Sequence, residues 1–231
     1  MTVLFDAATG RLRLSADDWE ALLSWSRDHS RQGEHLTRLR EAGVIRGDWP
    51  HSSVMPALEA ALDHITTLRV RQRLHDGRRI DGTGLVARGA VAFLLDAPDD
   101  LRELLTVHPT MLTSALARVV ALGPRDRGEI EDREATADAE TDLFGSDAGR
   151  RRAAADAIGG LPGVDGPWNY WSVHAHRQPD GLEEGLTVLD TPDQMWLVER
   201  THEKLLLSPT DPTRVWRLLI RISSHAMELF R

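Results

Sequence analysis

Polar and apolar residues alternate along two segments of the chain, and each segment leads into an Asp-Gly turn. The first reads TLRVRQRLH over residues 67–75 and is followed by Asp76-Gly77; the second reads YWSVHAH over residues 170–176 and precedes Asp180-Gly181. An alternation with a period of two is typical of a β-strand that has one buried and one exposed face. The sequence therefore predicts two long, half-buried strands in equivalent places in the fold.

The two strands belong to a longer internal repeat. Residues 67–122 and residues 170–224 each read as several strands followed by a helix. A duplicated unit of this size is typical of two halves that are related by an approximate twofold axis and share one core. The alignment of the copies matches Val70 with Val173, Gly84 with Gly185, and Pro109 with Pro209.

Helical periodicity precedes the first copy and ends the second. Ser15 is predicted to cap one helix, residues 34–42 to form another, and a third helix to begin near Ser53. Asp211 followed by Pro212 predicts the start of the last helix. Its apolar surface is wide enough to face the core, the helix of the other copy or another protein. One apolar stripe contains Val215, Leu218, Leu219, Ile222 and Ala226, and the other contains Trp216, Ile220, Met227 and Phe230.

These elements predict a single α+β domain over residues 1–231, with a central antiparallel sheet, helical bundles and an internal pseudo-twofold duplication. Its parts are an N-terminal helical part, repeat one, an acidic segment and repeat two with a connecting helix. The acidic segment holds nine acidic and three basic side chains and few large apolar ones, which favours a mobile loop. The four parts span residues 1–66, 67–123, 124–147 and 148–231.

Composition and charge narrow the classes of function. The chain has no cysteine, so thiolate metal sites and cysteine nucleophiles are excluded, and a cytoplasmic protein is expected. A basic, apolar leader and a run of about 20 apolar residues are both missing, so we expect no membrane insertion. The net charge of −8 argues against nucleic acid as a partner, because phosphate binding needs a basic surface.

The polar face of the two long strands is the strongest candidate site. It is interpreted as a solvated face, as a docking surface for a protein, or as a small-molecule or metal site. His174 and His176 would hold a metal only if a third ligand arrived from elsewhere, and we expect neither a metal nor a cofactor. Trp168 and Tyr170 start an aromatic cluster that favours either core packing or protein contact. The polar face carries Arg69, Arg71 and Arg73 in repeat one and Tyr170, Ser172, His174 and His176 in repeat two.

Motifs for catalysis and DNA binding are weak. The glycine-rich segments 82–84 and 145–149 lack the spacing of a phosphate loop, a nucleophile elbow or a dinucleotide fingerprint, so an enzyme is not indicated. The sequence pattern of residues 34–65 is similar to that of a winged helix, so a DNA-binding regulator is an alternative. However, the helix around MPALEAALDHI has no arginine or lysine with which to read a groove.

The order of elements and three phrases, LREAGVI, ARVVALGPR and DTPDQMWLVE, resemble the EspG family of ESX (type VII) secretion-associated proteins of actinobacteria. The resemblance implies a quasi-twofold α+β fold in which a central antiparallel sheet sits with two helical bundles. It also implies a cytosolic chaperone, not an enzyme, that keeps a helical PE–PPE-like or WXG-type secretion substrate soluble for export. The internal repeat is consistent with this architecture.

By position, the resemblance implies that the protein client contacts the central sheet and the C-terminal helical region, here the elements around 194–230. A homodimer is a further possibility that the sequence leaves open. The residues that we expect to contact the partner are Arg69, Arg71, Arg73, Trp168, Tyr170, His174, His176, Trp196 and Trp216.

Overall fold

The structure is a computed structural model that describes residues 3–28, 33–125, 128, 131–178 and 180–228. Eleven strands form one antiparallel sheet and seven α-helices pack on it, which confirms the predicted α+β class. The strands are β1 Leu4–Asp6, β2 Arg11–Leu14, β5 Thr66–Leu74, β6 Arg79–Val86, β7 Val91–Ala97, β8 Leu101–Val107, β9 Arg133–Thr136, β10 Asn169–Arg177, β11 Glu183–Asp190, β12 Met195–Arg200 and β13 Lys204–Thr210, with β3 Ile45–Arg46 and β4 Trp49–Pro50 in a separate hairpin. The helices are α1 Ala16–Asp28, α2 Glu34–Glu41, α3 Met55–Asp63, α4 Leu112–Val119, α5 Ala139–Leu143, α6 Ala148–Ala157 and α7 Pro212–Ala226.

Two four-stranded meanders lie side by side in the middle of the sheet. The strand order is β1-β2-β8-β7-β6-β5-β10-β11-β12-β13-β9, so β5 of the first repeat pairs with β10 of the second. In this pair Val70 lies directly opposite Val173, its counterpart in the repeat. Equivalent residues face each other only where a twofold axis passes between them. The axis that relates the two halves therefore runs through the β5–β10 pair.

The strand register corrects two of the matches made from the sequence. Gly84 pairs with Leu68 on β5, whereas Gly185 pairs with His174 on β10, so the two glycines occupy different places. By the same register Pro109 corresponds to Pro212, since each opens the helix that follows its meander, while Pro209 lies inside β13. The turn after β10 is one residue longer than the turn after β5, which shifts the alignment.

The central sheet has two unlike faces. Helices α4 and α7, which contact each other, cover one face, which we call the covered face. Both helices belong to the same chain, so the two repeats share one core. Leu68, Val70, Trp171, Val173, Leu186 and Val188 lie against them.

Side chains from each repeat hold the helix of the other repeat in place. The Thr66 hydroxyl donates to the carbonyl of Ala226 at the end of α7, at 3.0 Å. Its counterpart Asn169, the only asparagine in the chain, donates to the carbonyl of Val120 at the end of α4, also at 3.0 Å. The last carbonyls of a helix have no partner within it, so these bonds satisfy them and link the halves.

On the opposite side of the sheet, helices cover only the two ends. Helices α1, α2 and α3 pack on the β2, β7 and β8 end, with Leu94 and Leu104 in their core. Helices α5 and α6 pack on the β12 and β13 end, with Leu189 and Trp196 in theirs. Between these bundles, the described residues leave β5, β10 and the adjoining parts of β6 and β11 uncovered. We call this surface the open face.

The acidic segment 124–147 is folded where the structure describes it, which corrects its interpretation as a mobile loop. Residues 133–136 form β9, which pairs with β13 at the edge of the sheet, and α5 follows. Leu143 and Phe144 are buried against the second helical bundle. Two large apolar side chains are sufficient to hold this segment in place, because they pack into a core that is built mainly from residues of the second repeat.

The helix starts agree with the signals in the sequence. The Ser15 hydroxyl accepts a hydrogen bond from the backbone N–H of Asp18 at 3.0 Å, and the Asp211 carboxylate accepts one from the N–H of Arg214 at 2.9 Å. On α7 the first apolar stripe packs on the sheet, whereas Trp216 and Ile220 of the second stripe are exposed. Phe230 lies outside the described residues.

Candidate functional site: the open face of the sheet

The open face is built from side chains that point away from α4 and α7. Because neighbouring strands are about 4.8 Å apart, the four strands of this face span roughly 14 Å, compared with about 10–12 Å for the diameter of a helix. Three connected depressions of about 400, 550 and 470 Å³ lie along this surface, and Arg71 lines all three. The open face is therefore a shallow groove of helical width with Arg71 at its centre.

The repeat-one half of the groove is rich in arginine. Arg69, Arg71 and Arg73 follow one another at every second position of β5, as the alternation predicted. Arg79 on β6 and Arg102 on β8 line the same depression. Among the described residues, Asp81 is the one carboxylate that forms an ion pair with Arg69, Arg71 or Arg73, at 3.9 Å from the Arg71 guanidinium. That pair is exposed and at the limit of an ion pair, so it neutralises little of the charge.

The repeat-two half of the groove is organised around Tyr170. Its ring stacks on Phe144 with the centroids 4.1 Å apart, and its hydroxyl donates to Glu140 at 2.9 Å. Glu140 in turn accepts from Arg200 at 2.8 Å. Burial and the Glu140 carboxylate raise the pKa of the Tyr170 hydroxyl, so it stays protonated and acts as a donor. The charges of Glu140 and Arg200 therefore cancel each other, and the hydrogen bonds hold the Tyr170 ring in place as the wall of the groove beside α5.

His174 occupies the position in repeat two that Arg71 occupies in repeat one. Its ring lies over Gly185, where the first atom of any side chain would meet the imidazole. Burial, and secondarily the charge of Arg71, lower the pKa of His174 below its ordinary 6.5. His174 is therefore neutral at pH 7 and offers one donor and one acceptor.

His176 is exposed, and its Nδ1 lies 3.2 Å from a Glu183 carboxylate oxygen. The two histidines share a strand face, as predicted. Within the described ranges, no group of three histidine, aspartate or glutamate side chains is arranged to hold a metal ion. Among those residues, the histidine pair therefore has no third ligand of the kind that the metal alternative requires.

The nine residues that the sequence nominated separate into three places. Arg69, Arg71, Arg73, His174 and His176 line the open face, with Tyr170 at its wall.

Trp168 and Trp196 are 2% and 0% exposed and lie in the core beneath α5 and α6, which corrects their assignment to a contact surface. The guanidinium of Arg151 covers the Trp168 ring at 5.3 Å. Trp216 is 37% exposed, but it lies on α7, on the far side of the sheet from Arg71. These three tryptophans therefore form no single surface with the arginines.

The open face also contains four residues that were not predicted from the sequence: Arg79, Arg102, Glu140 and Arg200. The first two are separated from Arg71 in the sequence and join it only through the pairing of β6, β7 and β8. Glu140 lies in the segment that was interpreted as a loop. A strand-pairing pattern would have identified Arg79, since it lies opposite Arg73 in the first hairpin.

Two other features bear on the alternatives. Helix α3, the helix expected to read DNA in a winged-helix protein, packs on β6, β7 and β8 with Ala57, Leu58 and Ala60 buried. Its apolar face is thus occupied by the sheet.

Among the helices that the structure describes, none is long and apolar enough to span a bilayer.

Comparison with known proteins identifies the fold. No family model matches the sequence, and no curated protein matches it. Among solved structures, the chain is similar to the type VII secretion system chaperone EspG5 of Mycobacterium tuberculosis, in its complex with the PE25–PPE41 dimer. The TM-score is 0.58 at 10% sequence identity, over 93% of this chain and 96% of that one. The EspG-like fold expected from the sequence is therefore confirmed, with a central antiparallel sheet and helical bundles.

Proposed function

We propose that this protein is a cytoplasmic chaperone that binds a helical protein client, of the PE–PPE or WXG type, on the open face and keeps it soluble for export. The observation that supports the proposal most strongly is the uncovered stretch of sheet between two helical bundles, in the fold of a type VII secretion chaperone. A central sheet face normally buries its side chains against another layer. Here β5, β10 and the adjoining parts of β6 and β11 lack such a layer among the described residues, and a client would supply it.

The composition of the groove supports recognition of protein surface. Arginine and tyrosine are enriched where proteins bind one another, and here arginine lies at the centre of the groove and tyrosine at its wall. A helical client would lose water against these groups while the charged side chains fix its position.

Co-expression tests this proposal. The full chain is produced with a pair of helical secretion substrates encoded beside its gene, and the mixture is separated by gel filtration. We expect the substrates to stay soluble and to co-elute with the chain. The variant Arg71→Glu should lose the client, because it reverses the charge at the centre of the groove.

Arg217→Glu is the matched control. It makes the same charge change on the exposed side of α7, away from the groove, and should bind as wild type does. Equal loss of client in both variants would show that general charge, not the open face, controls binding. If the substrates never co-elute with wild type, the chaperone proposal is wrong.

A further inference from the structure

The two halves of the open face differ in charge, although the repeat makes them equivalent in backbone. The strand registers match Arg69, Arg71 and Arg73 with Ser172, His174 and His176, and they match Arg79 on β6 with Glu183 on β11. Every arginine of this set therefore has a neutral, titratable or acidic counterpart in the other half. The difference in charge lies on the open face, since the buried positions of β5 and β10 carry no charged side chain in either copy.

The arginines of repeat one are poorly compensated. Of the five that line the first depression, only Arg71 has an ion-pair partner among the described residues, at 3.9 Å. Only two carboxylates, Asp81 and Asp96, line the same depression. In repeat two, by contrast, Arg200 pairs with Glu140 and His176 lies beside Glu183. Like charges held together without partners destabilise the free protein and favour an anionic ligand.

The spacing of the arginines indicates the form of that ligand. Alternate residues on a strand are about 6.6 Å apart, and residues four apart on a helix are about 6 Å apart along its axis. Carboxylates at positions i, i+4 and i+8 of one helix can therefore meet Arg69, Arg71 and Arg73 in turn. Arginine is suited to this contact because its planar guanidinium binds carboxylate at two points.

We propose that the open face binds a client helix that carries a stripe of aspartate or glutamate at every fourth position, and that this helix lies along β5. The inference rests on the proposed function, whose client it describes. It also fixes how the client helix is rotated about its own axis, because its acidic stripe faces the arginines of repeat one and another side of the helix faces Ser172, His174 and Glu183 in repeat two. A protein helix is favoured over nucleic acid because Glu183 and Glu140 line the same groove and the chain carries a net charge of −8.

The test uses labelled, alanine-rich helical peptides and fluorescence anisotropy on the full chain. One peptide carries three glutamates at i, i+4 and i+8, and a second has the same composition with the glutamates spread around the helix. A single-stranded DNA oligonucleotide of equal or greater charge is the third probe. We expect the striped peptide to bind about tenfold more tightly than the dispersed one, since three exposed ion pairs are each worth about 0.2–1 kcal/mol. Its affinity should fall as salt is added.

The matched variant, which we call the ladder variant, replaces the three arginines of β5 with the residues found at the equivalent positions of β10. Its substitutions are Arg69→Ser, Arg71→His and Arg73→His. These side chains already occupy the equivalent positions of β10, so the variant is expected to fold. It should lose the tenfold preference, whereas Arg214→Ser with Arg217→Ser on α7 should keep it. Equal binding of the two peptides, or tighter binding of the oligonucleotide, would overturn the inference.

The same variant separates this inference from the proposed function. If natural substrates co-elute with wild type and with the ladder variant at equal affinity, the acidic stripe is wrong and the chaperone role stands. If the striped peptide binds but no substrate pair co-elutes with wild type, the chaperone role is wrong and the acidic specificity of the groove stands.

Discussion

Replacement of Trp196 by alanine is expected to destabilise the protein by about 4 kcal/mol. The side chain is fully buried in the core beneath α5 and α6, packed among side chains such as Leu189 and Leu205. A tryptophan of this kind buries about 150–250 Å², which at roughly 25 cal/mol per Å² corresponds to about 4–6 kcal/mol. Measured losses for buried aromatic residues changed to alanine are about 3–5 kcal/mol, so the two estimates agree.

The variant Trp196→Phe refines this prediction. The indole N–H of Trp196 is buried and has no hydrogen-bond partner among the described residues. An unpaired buried donor costs roughly 1–3 kcal/mol, and phenylalanine removes that cost while it keeps most of the apolar volume. We therefore expect Trp196→Phe to lie within about 1.5 kcal/mol of wild type, despite the smaller ring.

Urea unfolding followed by far-ultraviolet circular dichroism measures these differences without relying on tryptophan fluorescence. Trp216→Ala is the control, because that ring is partly exposed on α7 and its loss should cost no more than about 1 kcal/mol. If Trp196→Ala instead lost less than about 1 kcal/mol and abolished client binding, the ring would lie on a contact surface, as the sequence suggested. The core assignment would then be refuted.

Three further predictions test other parts of the structure. Gly185→Ala should displace the His174 ring into solvent and raise its pKa toward 6.5, which an NMR titration of the imidazole measures; an unchanged pKa would contradict the packing. Asp18→Asn should destabilise the protein by roughly 1–3 kcal/mol. Burial raises the Asp18 pKa, but hydrogen bonds from Ser15, His35 and Arg38 outweigh it and hold the pKa below 3.8. The loss of unfolding free energy relative to wild type should have its full size above pH 3.8 and should shrink as the pH falls through the lowered pKa of Asp18. A loss that stays the same at every pH would refute this role of the carboxylate. Gly84→Val should cost about 1–3 kcal/mol in urea unfolding, since its Cβ would lie 2.7 Å from the Phe93 ring, whereas Gly89→Ala, with open space around it, should be nearly neutral.

The sequence predicted the elements of the sheet well because the information is local. Alternation along residues 67–75 and 170–176 gave the two long strands and their faces, and the Asp-Gly turns gave the hairpin ends. Both turn glycines, Gly77 and Gly181, have positive φ, which explains why glycine recurs there. The same alignment matched Val70 with Val173, and the strand register places the twofold axis between them.

The sequence predicted the site less completely because pairing and burial are not local. Gly84 and Gly185 align in the sequence, yet they pack against different side chains. The Phe93 ring lies against Gly84, and the His174 ring lies against Gly185. Trp168 and Trp196 are of a residue type that is frequent in binding surfaces. Only the position of α5 and α6 in the fold shows that both side chains are buried. Arg102 reaches the groove only through the pairing of β6 with β7 and of β7 with β8, which is not apparent in the sequence.

The twofold axis between Val70 and Val173 also explains how the groove can have unlike halves. Two separate copies of one half could pair in this way along nine-residue strands, as in a symmetric dimer. Such a dimer would have to carry the same residue at the positions now held by Arg71 and His174. Joining the halves in one polypeptide removes that restriction, so a mutation on one side leaves the other unchanged. The covalent connection is thus what allows a surface centred on a symmetry axis to recognise an asymmetric partner.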